Sequence, residues 1–464
     1  MLVENRFTTE EVIKGTGGML VNGDMGIPFK GISTDTRILE PGYLFWALKG
    51  KNYDGHSFWK VALERGAKGL VLSYFPKDLK LEELPKTISV ILVRDTLKAL
   101  GDFAAWYRTE KNFKVIAITG SCGKTTTKEM TYEILKEFYR VAKNEANYNN
   151  LIGVPLSILG IRERPDWVVL EVGTNQKGEI RRLAEIAKPS ISLITCIQPA
   201  HLEGLSSIEG VLEEKISLFE KTDPEGVIIY NYDQDLLRRR AETFPQRKLS
   251  FGEKEGADFR LLSEELKGAF LKVKMFFKNE EYTFEINLPG KHNLFNLLSA
   301  LAVAFATGLE IREVLERLPK DLSGLVRGKI FKRGNWVILD DTYNANPGSM
   351  RASLFWLKDE ASAGALKIAI LGDMKELGEM APQLHREIGE LAGELVDKAI
   401  FIGEMALFYA EGFKNSGKPF EVYATVEDFL ERGSFEDTPS FILVKGSRAL
   451  RMERIVKNLL GEGN

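Results

Sequence analysis

The stretch Lys114–Phe138, KVIAITGSCGKTTTKEMTYEILKEF, constrains this chain more than any other. Val115 to Ile118 is an apolar run of strand length. The chain then turns through Thr119-Gly120-Ser121-Cys122-Gly123 and enters a segment with Met130, Ile134, Leu135 and Phe138 on one helical face. Gly120 and Gly123 allow a tight turn in which successive backbone N–H groups point at one anion. The following helix adds its positive N-terminal end to that nest. Lys124 supplies a point charge for β/γ-phosphates, and the Thr125 hydroxyl a ligand for Mg²⁺. The loop is shorter than G-x-x-x-x-G-K-[ST], whose first glycine would fall at Ile118. The bland alternative is an ordinary strand-to-helix turn with a stray lysine. A strand before, a helix after and Gly-Lys-Thr between favour a nucleoside triphosphate site.

A chain of 464 residues predicts about three domains. A net charge of -3 gives no global attraction to nucleic acid or an anionic membrane. No run of about 18 apolar residues and no basic-then-apolar leader occur, so neither a membrane span nor a signal peptide is expected. Cys122 and Cys196 are the two cysteines, which excludes a disulfide scaffold and fits a reducing cytoplasm.

Residues 1–112 read as a small α/β domain. Thr8-Thr9-Glu10-Glu11 is a helix start, Tyr43–Leu48 and Gly69–Ser73 are strands, and Phe58–Arg65 is a helix. Ser33-Thr34-Asp35-Thr36-Arg37 packs hydroxyls, a carboxylate and a guanidinium into five residues. It reads either as a polar turn with a local Asp–Arg pair or as a site for a polar head group. Residues 113–324 alternate strand and helix as a doubly wound, mostly parallel sheet does. Strand Trp167–Gly173 carries Glu171, strand Ile191–Ile197 precedes His201, and a helix from about Ser207 carries Lys215. Phe259–Leu288 reads as antiparallel edge strands, and Lys291–Thr307 as an apolar helix ended by Gly308. Residues 325–464 form a second, Rossmann-like α/β alternation beyond a hinge at Ser323-Gly324. Its strand ends carry Asp340-Asp341-Thr342-Tyr343-Asn344-Ala345-Asn346-Pro347 and Lys445-Gly446-Ser447-Arg448. Ligands bind outside the carboxyl ends of such strands, so Glu171, His201 and the phosphate loop are expected to converge there.

Several polar residues have a plain reading beside the functional one. His56 and His385 read as structural and His292 as a helix cap, whereas His201 is open between a metal ligand and a structural role. Glu171 at a buried strand end favours function, because a core strand tolerates a carboxylate poorly. Lys215 would ordinarily be a snorkelling surface lysine.

These residues together resemble the Mur ligases, ATP-dependent amide-forming enzymes of cell-wall precursor synthesis. The resemblance covers essentially the whole chain. It rests on Thr119–Thr126, Glu171, His201, Lys215 and His292-Asn293-x-x-Asn296. It also rests on Asn147-Tyr148-Asn149-Asn150-Leu151-Ile152-Gly153-Val154-Pro155, Leu371-Gly372-Asp373-Met374-Lys375-Glu376-Leu377-Gly378 and Val444-Lys445-Gly446-Ser447-Arg448. Tyr343-Asn344-Ala345-Asn346-Pro347 stands where the branch adding the third amino acid carries Tyr-Ala-His-Thr-Pro. The Asp-Asn-Pro-Arg tetrapeptide of that branch is absent here.

The resemblance implies an enzyme that adds D-alanyl-D-alanine to UDP-N-acetylmuramoyl-tripeptide through an acyl phosphate, acting as a cytoplasmic monomer with ATP and Mg²⁺. Carried over by residue, it implies that Gly120, Ser121, Cys122, Gly123, Lys124, Thr125 and Thr126 hold the triphosphate. Asn296 is implied to face the adenine, Arg327 a phosphate and Asp341 the ribose. Thr125, Glu171, His201 and Lys215, the last if carbamylated, are implied to serve the metal. Lys124, Glu171, His201 and Lys215 are the implied catalytic set, and Ser33, Thr34, Asp35, Arg37, Asn149 and Asn150 the uridine-nucleotide set. The rivals are a folylpolyglutamate synthetase-type ligase and a nucleotide-dependent switch that only hydrolyses.

Overall fold

The computed structural model describes residues 2–50, 52–145, 147–267, 270–361, 364–433 and 438–462. Among them are three sheets, each in its own stretch of the chain.

The first sheet has six strands, in the order Leu2–Thr8, Pro28–Ser33, Leu44–Trp46, Gly69–Leu72, Ser89–Leu92, Met19–Asn22. The inner four run parallel and the two edges antiparallel. The helix start read at Thr8 is a capping box: the Thr8 side chain accepts from Glu11 N–H, and the Glu11 carboxylate accepts from Thr8 N–H.

A helix at Thr96–Lys111 occupies a segment for which the sequence reading named no element. Asp95 caps its start and Asn112, in the left-handed conformation, ends it. Its Phe103 and Tyr107 pack with Val3 and Phe7 of the first sheet. They also share one buried cluster with Val115 and Leu170 of the second. Arg182 pairs with Asp102 at 2.5 Å across the same seam.

The second sheet has nine strands, ordered Glu280–Ile286, Phe270–Phe277, Phe259–Lys267, Arg247–Gly252, Val227–Asn231, Ile191–Ile194, Lys114–Thr119, Trp167–Glu171, Val141–Lys143. Lys114–Thr119 lies between Ile191–Ile194 and Trp167–Glu171, parallel to both. The expected antiparallel edge is present in the last three strands by chain order. Strand Ile191–Ile194 is shorter than read, because the backbone at Cys196 turns to serve the phosphate loop: Ser121 N–H donates to Cys196 O at 2.9 Å. The last residues of the Asn147–Pro155 motif open a helix at Gly153–Leu159. The Asn150 side chain accepts from the N–H groups of Ile152 (3.1 Å) and Gly153 (2.8 Å) at its start.

The third sheet has six strands, ordered Lys329–Arg333, Trp336–Asp341, Ser440–Lys445, Leu366–Gly372, Lys398–Ile402, Phe420–Tyr423, and all pairs after the first hairpin are parallel. It packs on the second sheet's outer helices: Leu205, Val211 and Phe219 share a buried cluster with Met350, Leu354 and Leu384. That seam sets the carboxyl strand ends of the two sheets against each other. Among the described residues, no helix is long and apolar enough to cross a membrane.

Candidate active site

The phosphate loop connects strand Lys114–Thr119 to helix Lys124–Leu135. Both of its glycines are required. Gly120 has φ 153°, and a Cβ there would strike Thr195 Oγ1. Gly123 has φ 79°, and a Cβ there would run into Asn296 Oδ1. The Lys124 ammonium curls over the turn and donates to Gly120 O at 2.7 Å. Asn296 is nine-tenths buried on helix Lys291–Ala306. Its amide donates to Asn293 Oδ1 at 3.0 Å and its oxygen accepts from the Thr127 hydroxyl at 3.3 Å. The apolar length of that helix buries it, and the buried amides fix the loop from below.

Glu171 ends its strand inside the protein and keeps both oxygens engaged. Thr125 Oγ1 donates to Oε2 at 2.7 Å and Asn149 Nδ2 to Oε1 at 2.8 Å. The Glu171 main chain is clamped by Asn144, whose amide donates to its carbonyl at 2.9 Å and whose oxygen accepts its N–H at 2.8 Å. Asn144 was not picked out by the sequence reading. Its only sequence signal is an amide three residues before the motif containing Asn149.

Asn149 therefore joins the phosphate-loop carboxylate. Ser33, Thr34, Asp35 and Arg37 lie apart, at the end of a strand of the first sheet. There Ser33 Oγ donates to Asp35 O at 2.8 Å and Arg37 pairs with Asp35 at 2.6 Å. The guanidinium holds the Asp35 carboxyl down to about 2. Arg37 itself is largely exposed and within reach of solvent anions.

Lys215 is not a surface lysine: it is 1% exposed on helix Ile208–Glu220. Burial, reinforced by the Lys124 charge, pushes its amine down to about 7. The neighbouring Glu214 is also buried but serves elsewhere, accepting from the N–H groups of Gly178 (2.6 Å) and Ile180 (2.8 Å) at the start of helix Glu179–Ala187.

His201 lines the same cleft as Ser121–Thr126 and also reaches across to the third sheet's domain. It adopts a left-handed backbone, φ 54°, and its Nδ1 lies 2.5 Å from Glu376 Oε2 of the third sheet's domain. Glu376 is left-handed as well, φ 64°. Two non-glycine residues in this sparsely populated conformation thus face each other across a domain seam. The His201 bond lowers the Glu376 carboxyl.

The third sheet supplies the opposite wall. Lys445 is buried and donates to Asp341 Oδ2 at 2.5 Å, while the Ser353 hydroxyl donates to the same oxygen at 2.6 Å. Arg327, on the connection between domains, donates to Thr125 Oγ1 and lies 3.9 Å from the Tyr343 ring centroid. Asn346 Nδ2 donates to Ser121 O at 3.4 Å. His292 sits in the second position of its helix rather than at the cap and lines this cleft. Burial pushes its ring down to about 4, so it is neutral at neutral pH. The cleft between these walls is lined by the whole of Ser121–Thr126 with Asn296, Arg327, Asp341 and Lys445. A second recess opens beside it, bordered by His201, Asn344, Lys375, Glu376, Ser447 and Arg448.

His56 and His385 are structural, as read. His56 is buried, with Nδ1 2.7 Å from Asp54 and Nε2 accepting from Ser73 N–H at 2.9 Å. His385 Nε2 accepts from Met374 N–H at 3.0 Å.

Three family models match the chain: "Mur ligase family, catalytic domain" over residues 28–108, "Mur ligase middle domain" over 118–304, and "Mur ligase, glutamate ligase domain" over 326–448. The UDP-N-acetylmuramoyl-tripeptide--D-alanyl-D-alanine ligase of Bacillus subtilis is 36% identical over 444 residues, 93% of each chain. A crystal structure of MurF from Acinetobacter baumannii matches with a TM-score of 0.87 at 28% identity, covering 98% of this chain and 99% of that one. MurF ligase from Thermotoga maritima in complex with ADP matches at 0.79 and 26% identity, covering 93% and 97%. A folylpolyglutamate synthase from Mycobacterium tuberculosis shares the fold alone, at 13% identity, a TM-score of 0.61 and 79% of this chain. The chain belongs to the Mur ligase family.

Proposed function

We infer that the protein joins the amine of D-alanyl-D-alanine to the terminal carboxylate of UDP-N-acetylmuramoyl-tripeptide with cleavage of ATP, in cytoplasmic peptidoglycan precursor synthesis. The observation that carries this reading is the end-to-end likeness to ligases of that name. The reading is supported by one cleft lined by Ser121–Thr126, His201, Asn296, Arg327, Asp341 and Lys445. The chemistry supports it. A carboxylate does not accept an amine at neutral pH, so it must first become an acyl phosphate, and forming that requires two anions, the carboxylate and the ATP γ-phosphate, to be brought together before the amine attacks.

Domains at 1–112, 113–324 and 325–464 divide the work. Ser121, Cys122 and Thr126 with Gly120 and Gly123 form the anion nest. Lys124 stands over it as the mobile positive charge for the transferred group. Arg327 faces a phosphate from the other wall, Asn296 lies on the adenine side, and Asp341, held by Lys445 and Ser353, on the ribose side. Ser33, Thr34, Asp35 and Arg37 receive the uridine nucleotide; Asn149 and Asn150 complete the precursor's path towards Glu171.

The donor set fits a hard divalent cation: the Thr125 hydroxyl and Glu171 carboxylate are paired oxygens at the mouth of the nest. His201 and carbamylated Lys215 are the further residues that would hold Mg²⁺, which when bound neutralises charge on the phosphates and the approaching carboxylate. With Nδ1 fixed by Glu376, Nε2 of His201 is the ring nitrogen that would be left for the cation, beside the second recess where the incoming amine must shed a proton. The contacts of Arg327 and Asn346 with the phosphate loop support a closed arrangement that keeps water from the acyl phosphate.

The test is phosphate release that requires both UDP-precursor and D-alanyl-D-alanine, with a folate and glutamate as the alternative pair. Release with ATP alone would mark a hydrolytic switch and overturn the ligase reading.

A further inference from the structure

The two cysteines of the chain stand 74 positions apart and meet at the base of the phosphate loop, with their Sγ atoms 2.8 Å apart. Both are free thiols. Cys122 lines the nucleotide cleft, whereas Cys196 lies behind it, 7% exposed. Backbone geometry holds the approach in place. Cys122 N–H donates to Cys196 Sγ at 3.3 Å, Ser121 N–H donates to Cys196 O at 2.9 Å, and the Thr195 hydroxyl donates to Cys122 O. The ligase chemistry uses the N–H groups of this loop and leaves both sulfurs idle.

We propose that Cys122 and Cys196 form an oxidant-responsive dithiol, in which a hydroperoxide closes a disulfide under the phosphate loop and so controls nucleotide binding. The second half of this proposal rests on the triphosphate reading of the loop. Cys122 is the sulfur a small oxidant meets first. The Cys196 sulfur, 2.8 Å away, takes the Cys122 proton; Cys122 attacks one peroxide oxygen, the O–O bond breaks, and the departing hydroxide takes a proton from solvent to leave as water. Cys122 is then a sulfenic acid. Cys196 Sγ attacks that sulfur; its own proton leaves with the sulfenic hydroxyl as a second water. Two thiols have lost two electrons to the peroxide. The hydrogen bond to Cys196 and burial push the Cys122 thiol up, while the Cys122 thiol and N–H, with the Lys124 charge, bring Cys196 down to about 7 against its burial, so Cys196 first serves Cys122 as the base and then resolves its sulfenic acid. Closing the sulfurs to about 2.05 Å with the required torsion draws Cys122 towards the sheet. The N–H groups beside it then no longer converge on one anion.

The test is to expose the reduced full-length protein to hydrogen peroxide, with and without saturating ADP, and read intact mass, alkylation and binding of a fluorescent ATP analogue. The expected results are loss of two hydrogen masses, a peptide linking Cys122 to Cys196, and joint protection of both thiols. Nucleotide binding should weaken on the order of tenfold or more, the equivalent of about one loop hydrogen bond to phosphate, and recover with dithiothreitol. Bound ADP should slow the cross-link by covering Cys122. Cys196→Ser should stop at a Cys122 sulfenic acid that dimedone traps. Oxidation of wild-type Cys122 without a cross-link, or a cross-link with unaltered nucleotide binding, overturns the proposal. A reduced protein that binds no nucleotide overturns the triphosphate reading instead, since the mass loss is read independently of binding.

Discussion

Thr125 Oγ1 donates to Glu171 Oε2 at 2.7 Å, joining the first turn of the nucleotide helix to the carboxyl end of the neighbouring strand. This bond fixes the spacing of the two oxygens proposed to hold the divalent cation. Glu171→Gln keeps the shape and removes the charge. Turnover should fall on the order of 10²-fold or more, while thermal stability changes little. Steady-state kinetics beside a thermal melt checks this; a normal kcat would remove Glu171 from the site.

Lys215 gives a pH prediction with a definite sign. Its amine titrates near about 7 when folded, against 10.5 when free. Between those values the unfolded chain binds the proton and the folded chain does not, so stability rises with pH across that window and is flat below about 7. Lys215→Met should abolish this rise and be more stable than wild type at pH 7, by roughly 3–5 kcal/mol at most. Urea titrations at several pH values in bicarbonate-free buffer test it; identical slopes for the two proteins would contradict the burial.

The same amine, about half neutral at pH 7, is the one proposed to add CO₂ and become an anion. Lys215→Ala should lose most activity and regain part of it with added acetate. Lys215→Arg should not be rescued, because its fixed positive charge fills the space. Rescue of the alanine variant by a small amine instead would make Lys215 a plain phosphate contact.

Arg37 belongs to a different sheet from the phosphate loop. Arg37→Ala should weaken binding of the UDP-precursor by about tenfold, the loss of a charge-assisted contact, and leave ATP affinity unchanged. Calorimetry with each ligand separates the two; an equal fall in ATP affinity would refute the partition.

The Glu376 carboxylate meets His201, with Oε2 2.5 Å from Nδ1. Glu376→Gln should raise KM for D-alanyl-D-alanine several-fold with little change in KM for ATP, since it loosens the ring that borders the second recess. An effect on ATP alone would place the pair in the nucleotide site.

The phosphate loop, the strand carrying Glu171 and the three-part organisation were legible because each is written in local spacing. Lys215 was legible as a position but not as an environment: nothing near it in sequence shows that it is buried and feels the Lys124 charge. The helix Thr96–Lys111 was missed because apolar and small residues on several faces, packed against two sheets, blur the one-sided pattern that identifies surface helices. The pairs His201–Glu376 and Cys122–Cys196 join segments far apart in the chain, and only the packing of sheets brings them together. Asn144 escaped for a related reason. An asparagine in a polar loop reads as a turn residue until the strand end it clamps is known.

The helix Thr96–Lys111 also determines how the protein comes apart. Its residues complete the cores of the first and second sheets at once. Cutting the chain after it would leave the second sheet with an unpartnered apolar wall, and cutting before it would strip the first. These two sheets should therefore melt in a single calorimetric transition. Their shared unfolding enthalpy should exceed what either would give alone, and protease should nick neither while the other stands.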